Sequence, residues 1–302
     1  MKPKLILILL LLTLLLTTAC QTTTTNPQKT IVVTYSVLGS VVKELAGDAA
    51  KVVVSMPNGV DPHEWQPSAR DISTINHADL VVENGLQLEG GMLKTLSAAK
   101  KAGVKFFTAS DYIQVRHVGA GEGIPSGDPD QAIGAVDPHL WLDPVDMKEI
   151  VQALSQTLLN ELKLDVSSRA ADLENRLDGL NTTIVDIVSQ VPVAERELVT
   201  GHESMGYFAQ RYDFKLIGVF IPSLSSQAGI SAANLAALKQ TIIESHVKVI
   251  FTELGTSSAV VDTIGKETHV NTVQISTHAL PPDGSYFTFM TNIATIITNN
   301  LK

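Results

Sequence analysis

Four of the chain's eight histidines stand in contexts suited to metal ligation. His63 lies in the turn-rich run Gly59-Val60-Asp61-Pro62-His63-Glu64-Trp65-Gln66-Pro67, and His139 in Asp137-Pro138-His139-Leu140-Trp141-Leu142-Asp143-Pro144. His202 follows an expected strand through Gly201, and His278 follows another that ends at Ser276. Neutral imidazole is a good ligand for zinc and its borderline neighbours, whereas calcium, magnesium and manganese prefer oxygen. His63, His202 and His278 fall just past the carboxyl ends of expected strands, the edge where open α/β sheets bind ligands. His63 and His139 are 76 residues apart, and so are His202 and His278. Two halves that each offer two imidazoles would place a metal between them. A solitary histidine is more often a surface or capping residue, but the repeated Asp-Pro-His context sets His63 and His139 apart. His77, His246 and His269 sit near expected helix ends, where an imidazole caps carbonyls, and His117 lies in a polar loop. None of these four is assigned a role. A zinc hydrolase would need three histidines, an open position and Glu203 or Glu64 as general base. The chain contains no His-Glu-x-x-His motif to support that reading.

The elements that must position these residues alternate between short apolar strands and helical segments, the signature of an α/β architecture with parallel sheets. In the first half the pattern predicts strands over 30–36, 51–56, 80–83 and 104–108, with helices over 37–46, 68–76 and 92–102. In the second half it predicts strands over 197–200, 216–220, 247–252 and 272–276, with helices over 205–212, 232–245, 260–269 and 286–299. Between the halves, Leu173, Leu177, Leu180, Ile184, Ile187 and Val191 form one apolar stripe of a helix over 167–191. Ser167 or Ser168 is expected to cap it and Pro192 to stop it. The organisation expected is an N-terminal α/β lobe over 30–165, a connecting helix over 166–192 and a C-terminal α/β lobe over 193–302. A helical strut of that length resists bending, so the lobes should move little on binding. The Gly/Pro/Asp-rich run Val118–Ala135 interrupts the alternation, and a loop of that length usually has a functional part.

The first residues fix the compartment. Lys2 and Lys4 precede the apolar run Leu5 to Leu16, followed by the small residues Thr17, Thr18 and Ala19. This reads as a signal peptide over 1–19, too short for a comfortable membrane span. The single cysteine, Cys20, stands where cleavage is expected and resembles the acylated cysteine of a bacterial lipobox, although Thr17 occupies the place usually taken by Leu. Residues 20–29 read as a lipid-anchored tether, so the chain is expected outside the cytoplasm, anchored through Cys20, or periplasmic if Cys20 is not acylated. Loss of Lys2 and Lys4 leaves 20 basic against 31 acidic residues, a net charge of about −11. Such an acidic surface without Lys/Arg clusters argues against nucleic acid as a partner. With Cys20 acylated no thiol remains for disulfides, so packing must hold the fold.

Three motifs, Asp61-Pro62-His63, Asp137-Pro138-His139-Leu140-Trp141-Leu142-Asp143-Pro144 and Gly201-His202-Glu203-Ser204-Met205-Gly206-Tyr207-Phe208, resemble the signatures of the zinc/manganese substrate-binding proteins of ABC transporters. This is the ZnuA-like and TroA-like family, cluster A of the binding proteins. The similarity extends to Glu83-Asn84-Gly85, Phe251-Thr252-Glu253 and the terminal Gly284-Ser285-Tyr286. It implies two α/β lobes joined by a long helix, a metal buried between them, and delivery to a membrane permease by a monomeric receptor that is not an enzyme. Carried over by position, His63 and His139 are the N-lobe ligands and His202 the first C-lobe ligand, which leans toward zinc over manganese. Where relatives read Thr-Asp-Ser, this chain reads Thr277-His278-Ala279. His278 is therefore the expected fourth ligand, with Asp283 as the alternative. An all-imidazole site leaves the metal's charge to be balanced by groups behind it, for which Asp61, Glu64, Glu203 and Glu253 are candidates. A manganese- or iron-selective receptor, a surface adhesin with an incidental metal and a receptor for a metal chelate are the alternative functions.

Overall fold

The computed structural model describes residues 28–119, 122, 133–227 and 229–302. The signal peptide, Cys20, most of the tether and the middle of the Val118–Ala135 loop lie outside the described residues.

The N-terminal lobe carries a four-stranded parallel sheet in the order β2-β1-β3-β4, formed by β1 (Thr30–Val33), β2 (Lys51–Val54), β3 (Leu80–Glu83) and β4 (Phe106–Thr108). Val32 pairs with Val53 on one side and Val81 on the other, which makes β1 an inner strand with Ile31, Val32 and Val33 fully buried. Its unbroken β-branched run suits a strand covered on both faces. The helices are α1 (Ser36–Ala46), α2 (Ala69–Asn76), α3 (Leu93–Lys101) and α4 (Pro144–Thr157). A reciprocal capping box between Ser68 and Asp71 starts α2. Asp143 caps α4 through the Val145 N–H, and Pro144 occupies the first helical position, where its missing N–H costs nothing. The sequence pattern above does not anticipate α4, although Met147, Ile150, Val151, Leu154 and Leu158 recur at helical spacing and are all buried.

The long helix α5 runs Ser167–Val188, about 33 Å at 1.5 Å per residue. It ends earlier than expected: Val188 is buried in the core, Ile187 packs against the core while partly exposed, and Val191 is buried in the turn that follows. Its start also differs. Val166 holds the capping position, and the Asp165 carboxylate accepts hydrogen bonds from both Ser167 N–H and Ser167 Oγ, so neither serine is the cap. The apolar stripe packs on α1 and α4 of the N-terminal lobe and on the last helix, α9 (Tyr286–Leu301). One face of the connector is thus fastened to both lobes.

The C-terminal lobe has two parallel strand pairs, β5 (Glu197–His202) with β6 (Lys215–Ile221) and β7 (Val249–Thr252) with β8 (Asn271–Gln274), β5 lying alongside β7. Helices α6 (Gly206–Arg211), α7 (Ala232–Glu244) and α8 (Ser258–Thr268) flank them. A continuous apolar core runs from Ile31 to Leu301 through both lobes, and a smaller one around Phe220, Leu238 and Ile250 lies beneath α7 and α8. Among the described residues, no helix is long and apolar enough to cross a membrane.

Candidate metal centre

Each of the four histidines is presented by a short backbone device. The β2 strand ends at Val54 and the chain turns at Asp61, whose carboxylate accepts the His63 N–H at 2.9 Å. Two glycines let a neighbouring turn lie flat against this loop. A Cβ on Gly90 would stand 2.8 Å from the His63 carbonyl oxygen, and one on Gly91 only 2.1 Å from that of Trp65. Gly91→Ala must therefore push the His63 loop outward. The expected result is a loss of metal affinity of about tenfold or more, the scale set by groups that orient metal ligands, measurable by competition against a zinc-binding dye.

His139 repeats the device of His63: Asp137 Oδ1 accepts its N–H at 3.0 Å and also its Nδ1–H at 2.8 Å. The preceding Pro138 carbonyl is held by Asn84 Nδ2 at 2.9 Å, and Asn84 by the Tyr35 hydroxyl. His202 is the last residue of β5, not the residue beyond it, and pairs with Ile221. Gly201 before it admits no side chain, because a Cβ would meet Thr256 Oγ1 at 2.4 Å and Glu253 Cβ at 2.9 Å. His278 stands in the turn beyond β8. The Trp141 indole connects the two lobes here: its ring packs on His139 and His278, and its Nε1–H donates to the Thr277 carbonyl at 2.8 Å.

The four rings converge. His139 Nε2 lies 3.2 Å from His63 Nε2 and 3.1 Å from His202 Nε2, and one nitrogen from each of the four histidines falls within 4.8 Å of the others. Zn–N bonds of about 2.0–2.1 Å in a tetrahedron require N···N edges of roughly 3.3–3.4 Å. The two edges at His139 are already close to that size, and the other nitrogens, within 4.8 Å of one another, would draw in to close on an ion. All four side chains are buried. Hydrogen bonds on the outer nitrogens fix which inner nitrogen is free. Asp137 takes the Nδ1 proton of His139, and Glu253 that of His202 at 3.3 Å. Thr277 Oγ1 donates to Glu253 at 2.6 Å, so at 2.9 Å from His278 it accepts the Nδ1 proton of that ring. Each Nε2 then presents a lone pair inward, and the buried His278 Nε2 has no hydrogen-bond partner. Lone pairs facing one another at 3.1 Å repel unless a proton or a cation lies among them.

The surrounding charges favour a cation. Burial, together with its imidazole neighbours, holds His63 and His139 well below the ordinary histidine range, and brings His278 down to about 4. Burial also acts to lower His202, but the Glu253 carboxylate outweighs it and, with Asp61 and Asp137, raises this one ring. Conversely, burial would raise Glu253, yet the charge and hydrogen bond of His202 hold it down to about 2. Burial pushes Asp137 up to about 6 against the Arg116 guanidinium, whose Nη1 donates to Asp137 at 2.9 Å.

Of the residues expected to balance charge, Glu253 stands directly behind His202 and Thr277, and Asp61 holds the His63 backbone. Glu203 is buried next in sequence to His202. Glu64 does not take the expected place; it is exposed on the outer side of its turn. Asp283 is likewise not brought to the cluster. It lies on the surface, where its carboxylate accepts from Ser285 N–H and Thr288 Oγ and so serves the start of α9. Asp137 is a carboxylate that sequence reasoning missed, although its position two residues before a histidine matches Asp61 before His63. Arg116, far away in sequence and also paired with Glu122, gave no signal. The four histidines without an assigned role turn to local carbonyls or helix ends: His77 to Ser73, His117 to Gly134 and His246 to Glu244, while His269 ends α8.

Comparison with known proteins adds a family to this geometry. The profile of the family described as ZnuA, zinc-uptake complex component A periplasmic, matches residues 31–300. The zinc-binding lipoprotein AdcA of Streptococcus pneumoniae is 30% identical over 80% of this chain, which spans only 48% of AdcA. The high-affinity zinc uptake system protein ZnuA of Bacillus subtilis is 30% identical over 82% of this chain and 77% of its own length. Lipoproteins named for manganese also match, at 24% and 25% identity. Among solved structures, the periplasmic zinc-binding protein TroA from Treponema pallidum superposes with a TM-score of 0.78 over 91% of this chain and 99% of its own. At 23% identity that likeness speaks for the fold alone.

Proposed function

This chain belongs to the ZnuA family, and from that premise we propose that it is an extracytoplasmic receptor that captures a divalent metal, zinc, and hands it to an ABC importer. The observation that carries this reading is the inward convergence of four buried imidazole nitrogens, each outer nitrogen of His139, His202 and His278 being fixed by a hydrogen bond. His63, His139, His202 and His278 would be the ligands. An all-nitrogen tetrahedral set selects zinc over manganese, which prefers oxygen donors. Glu253 and Asp137 supply the negative charge that the ligands lack. Four protein ligands close the coordination sphere and leave no position for an activated water, which favours a binding protein over a hydrolase. Nothing covalent is required: the site binds, holds and releases. The permease acceptor, the monomeric state and the lipid anchor on Cys20 belong to the same reading.

The direct test is metal analysis of the chain from Gln21 onward, followed by competitive titration with zinc and manganese. One zinc per chain, not displaced by manganese, is expected. Manganese preference would refute the four-imidazole set, and a chain that holds no metal would refute the receptor. Zinc should also raise thermal stability. At a free concentration about 1,000 times Kd, binding adds about 4 kcal/mol, and for a chain of this size the melting temperature should rise by roughly 10 °C. Calorimetry of the chelator-stripped and reloaded chain checks this.

A further inference from the structure

Three of the four imidazoles are pinned through Nδ1, to Asp137, Glu253 and Thr277. Among the described residues, His63 has no such partner on its ring and is held through its backbone instead. Its N–H goes to Asp61, and its carbonyl accepts from Gln227 Nε2 at 2.6 Å. Gln227 is an exposed residue of the C-terminal lobe, beyond β6, and so ties the His63 loop across the cleft. The start of the same loop is clamped more firmly: the Asn58 amide both donates to and accepts from the Leu280 backbone, at 2.9 and 2.8 Å. On the Trp141 side the lobes are joined by buried bonds, from Trp141 Nε1 to Thr277 and from the Tyr286 hydroxyl to the Trp141 carbonyl. A cavity of about 460 Å³ opens beside the less secured ligand, lined by His63, Gln87, Val136, Leu224 and Gln227.

We propose that the metal enters and leaves past His63, and that Gln227 is the latch that keeps the His63 loop closed over a bound ion. The proposal rests on the reading of the four-histidine cluster as the cargo site. Release begins when the Gln227–His63 hydrogen bond breaks. The unpinned His63 ring then turns toward the cavity and takes its nitrogen off the ion, while the three pinned rings stay in place. Water or an acceptor's ligand can then occupy the open fourth position. Gln227 is a positioning residue, since it acts on the ion only through His63.

The test is a chelator chase of the zinc-loaded chain, monitored by the absorbance of the chelator complex. Gln227→Ala is expected to release zinc about fivefold faster, the effect of one neutral hydrogen bond, with one zinc per chain retained before the chase. Gln227→Glu should be at least as fast, because a carboxylate would face the His63 carbonyl. Arg211→Gln breaks a different bond between the lobes, the 2.7 Å Arg211–Asp143 ion pair, which does not hold the His63 loop, and should release zinc within about twofold of the unmodified rate, as expected of a partly exposed pair. Unchanged release from both Gln227 variants would overturn the latch. Equal acceleration by Arg211→Gln would overturn it too, since any loosening of the lobes would then suffice. An unmodified chain that loads no zinc would refute the cargo reading itself, and is seen before any chase begins.

Discussion

Replacing His139 with alanine should lower zinc affinity by about two to three orders of magnitude and leave the fold intact. Structural zinc sites bind with roughly 10–16 kcal/mol, so one ligand of four carries about 2.5–4 kcal/mol, or 10²–10³ in affinity. His139 is the sharpest choice because its Nε2 faces both His63 and His202 and its side chain is wholly buried. The fold should survive, since Asp137 keeps its pairing with Arg116 and the Pro138 carbonyl keeps Asn84. Competition titration measures the loss, circular dichroism the fold, and His77→Ala supplies an exposed imidazole as control. Affinity within threefold of the unmodified chain would remove His139 from the site.

The second large effect is a shallow dependence on pH. Four independent imidazoles near 6.5 would together lose affinity very steeply below neutrality, because each must be neutral to ligate. Among the four ligands only His202 is raised, so it is the one ligand from which the metal must displace a proton in mildly acidic solution, while Asp137 behind His139, pushed up to about 6, adds a second proton below that pH. His63 and His139 are depressed and His278 lies near 4, which leaves all three neutral there. The sign follows: a raised histidine keeps its proton to higher pH, so affinity falls as pH drops through its range. Between pH 6.5 and 6 the apparent Kd should rise about tenfold per pH unit, one proton's worth, and below 6, where Asp137 also protonates, by no more than about a hundredfold per unit until His278 titrates near 4. Zinc titrations at fixed ionic strength across that range read the slope. A slope clearly above two would mean that the imidazoles titrate as if solvated, contrary to their burial. Glu253→Gln should flatten the slope further by removing the charge that raises His202.

Much of this molecule was legible in its residues, for identifiable reasons. Strand–helix alternation places all eight strands among the described residues, because β1 and β3 are covered on both faces and read as unbroken runs. The expected strand ends overrun Val54 and Gln274, where Ser55, Met56 and Ile275 still donate to the carbonyls of Val33, Thr34 and Thr252 before the chain turns away. The strand–helix pattern does not mark helix α4 despite a clear helical stripe, because Asp143-Pro144 belongs to a histidine motif and at the same time supplies the cap and the first helical residue. The histidines were findable because each lies at a turn rich in Asp, Gly or Thr that aims it. The groups behind them were only partly so. Glu253 lay in a strand-end motif, but Asp283 looked equally available until its hydrogen bonds to Ser285 and Thr288 occupied it. Arg116 reaches the site only through tertiary folding, and no local pattern marks a residue that a distant loop brings in.

The helix α5, fastened on one face to α1, α4 and α9, has a consequence for how the chain comes apart. A connector with its own separate surface would let each lobe melt alone. Here the same buried side chains belong to both, and the apolar core continues from the first strand to the last helix. The chain should therefore unfold as a single cooperative unit. An ion held at the seam is thermodynamically linked to every part of it. Amide protons in the central strand β1, far along the chain from the C-terminal ligands, should exchange more slowly when zinc is bound, although they never touch the metal.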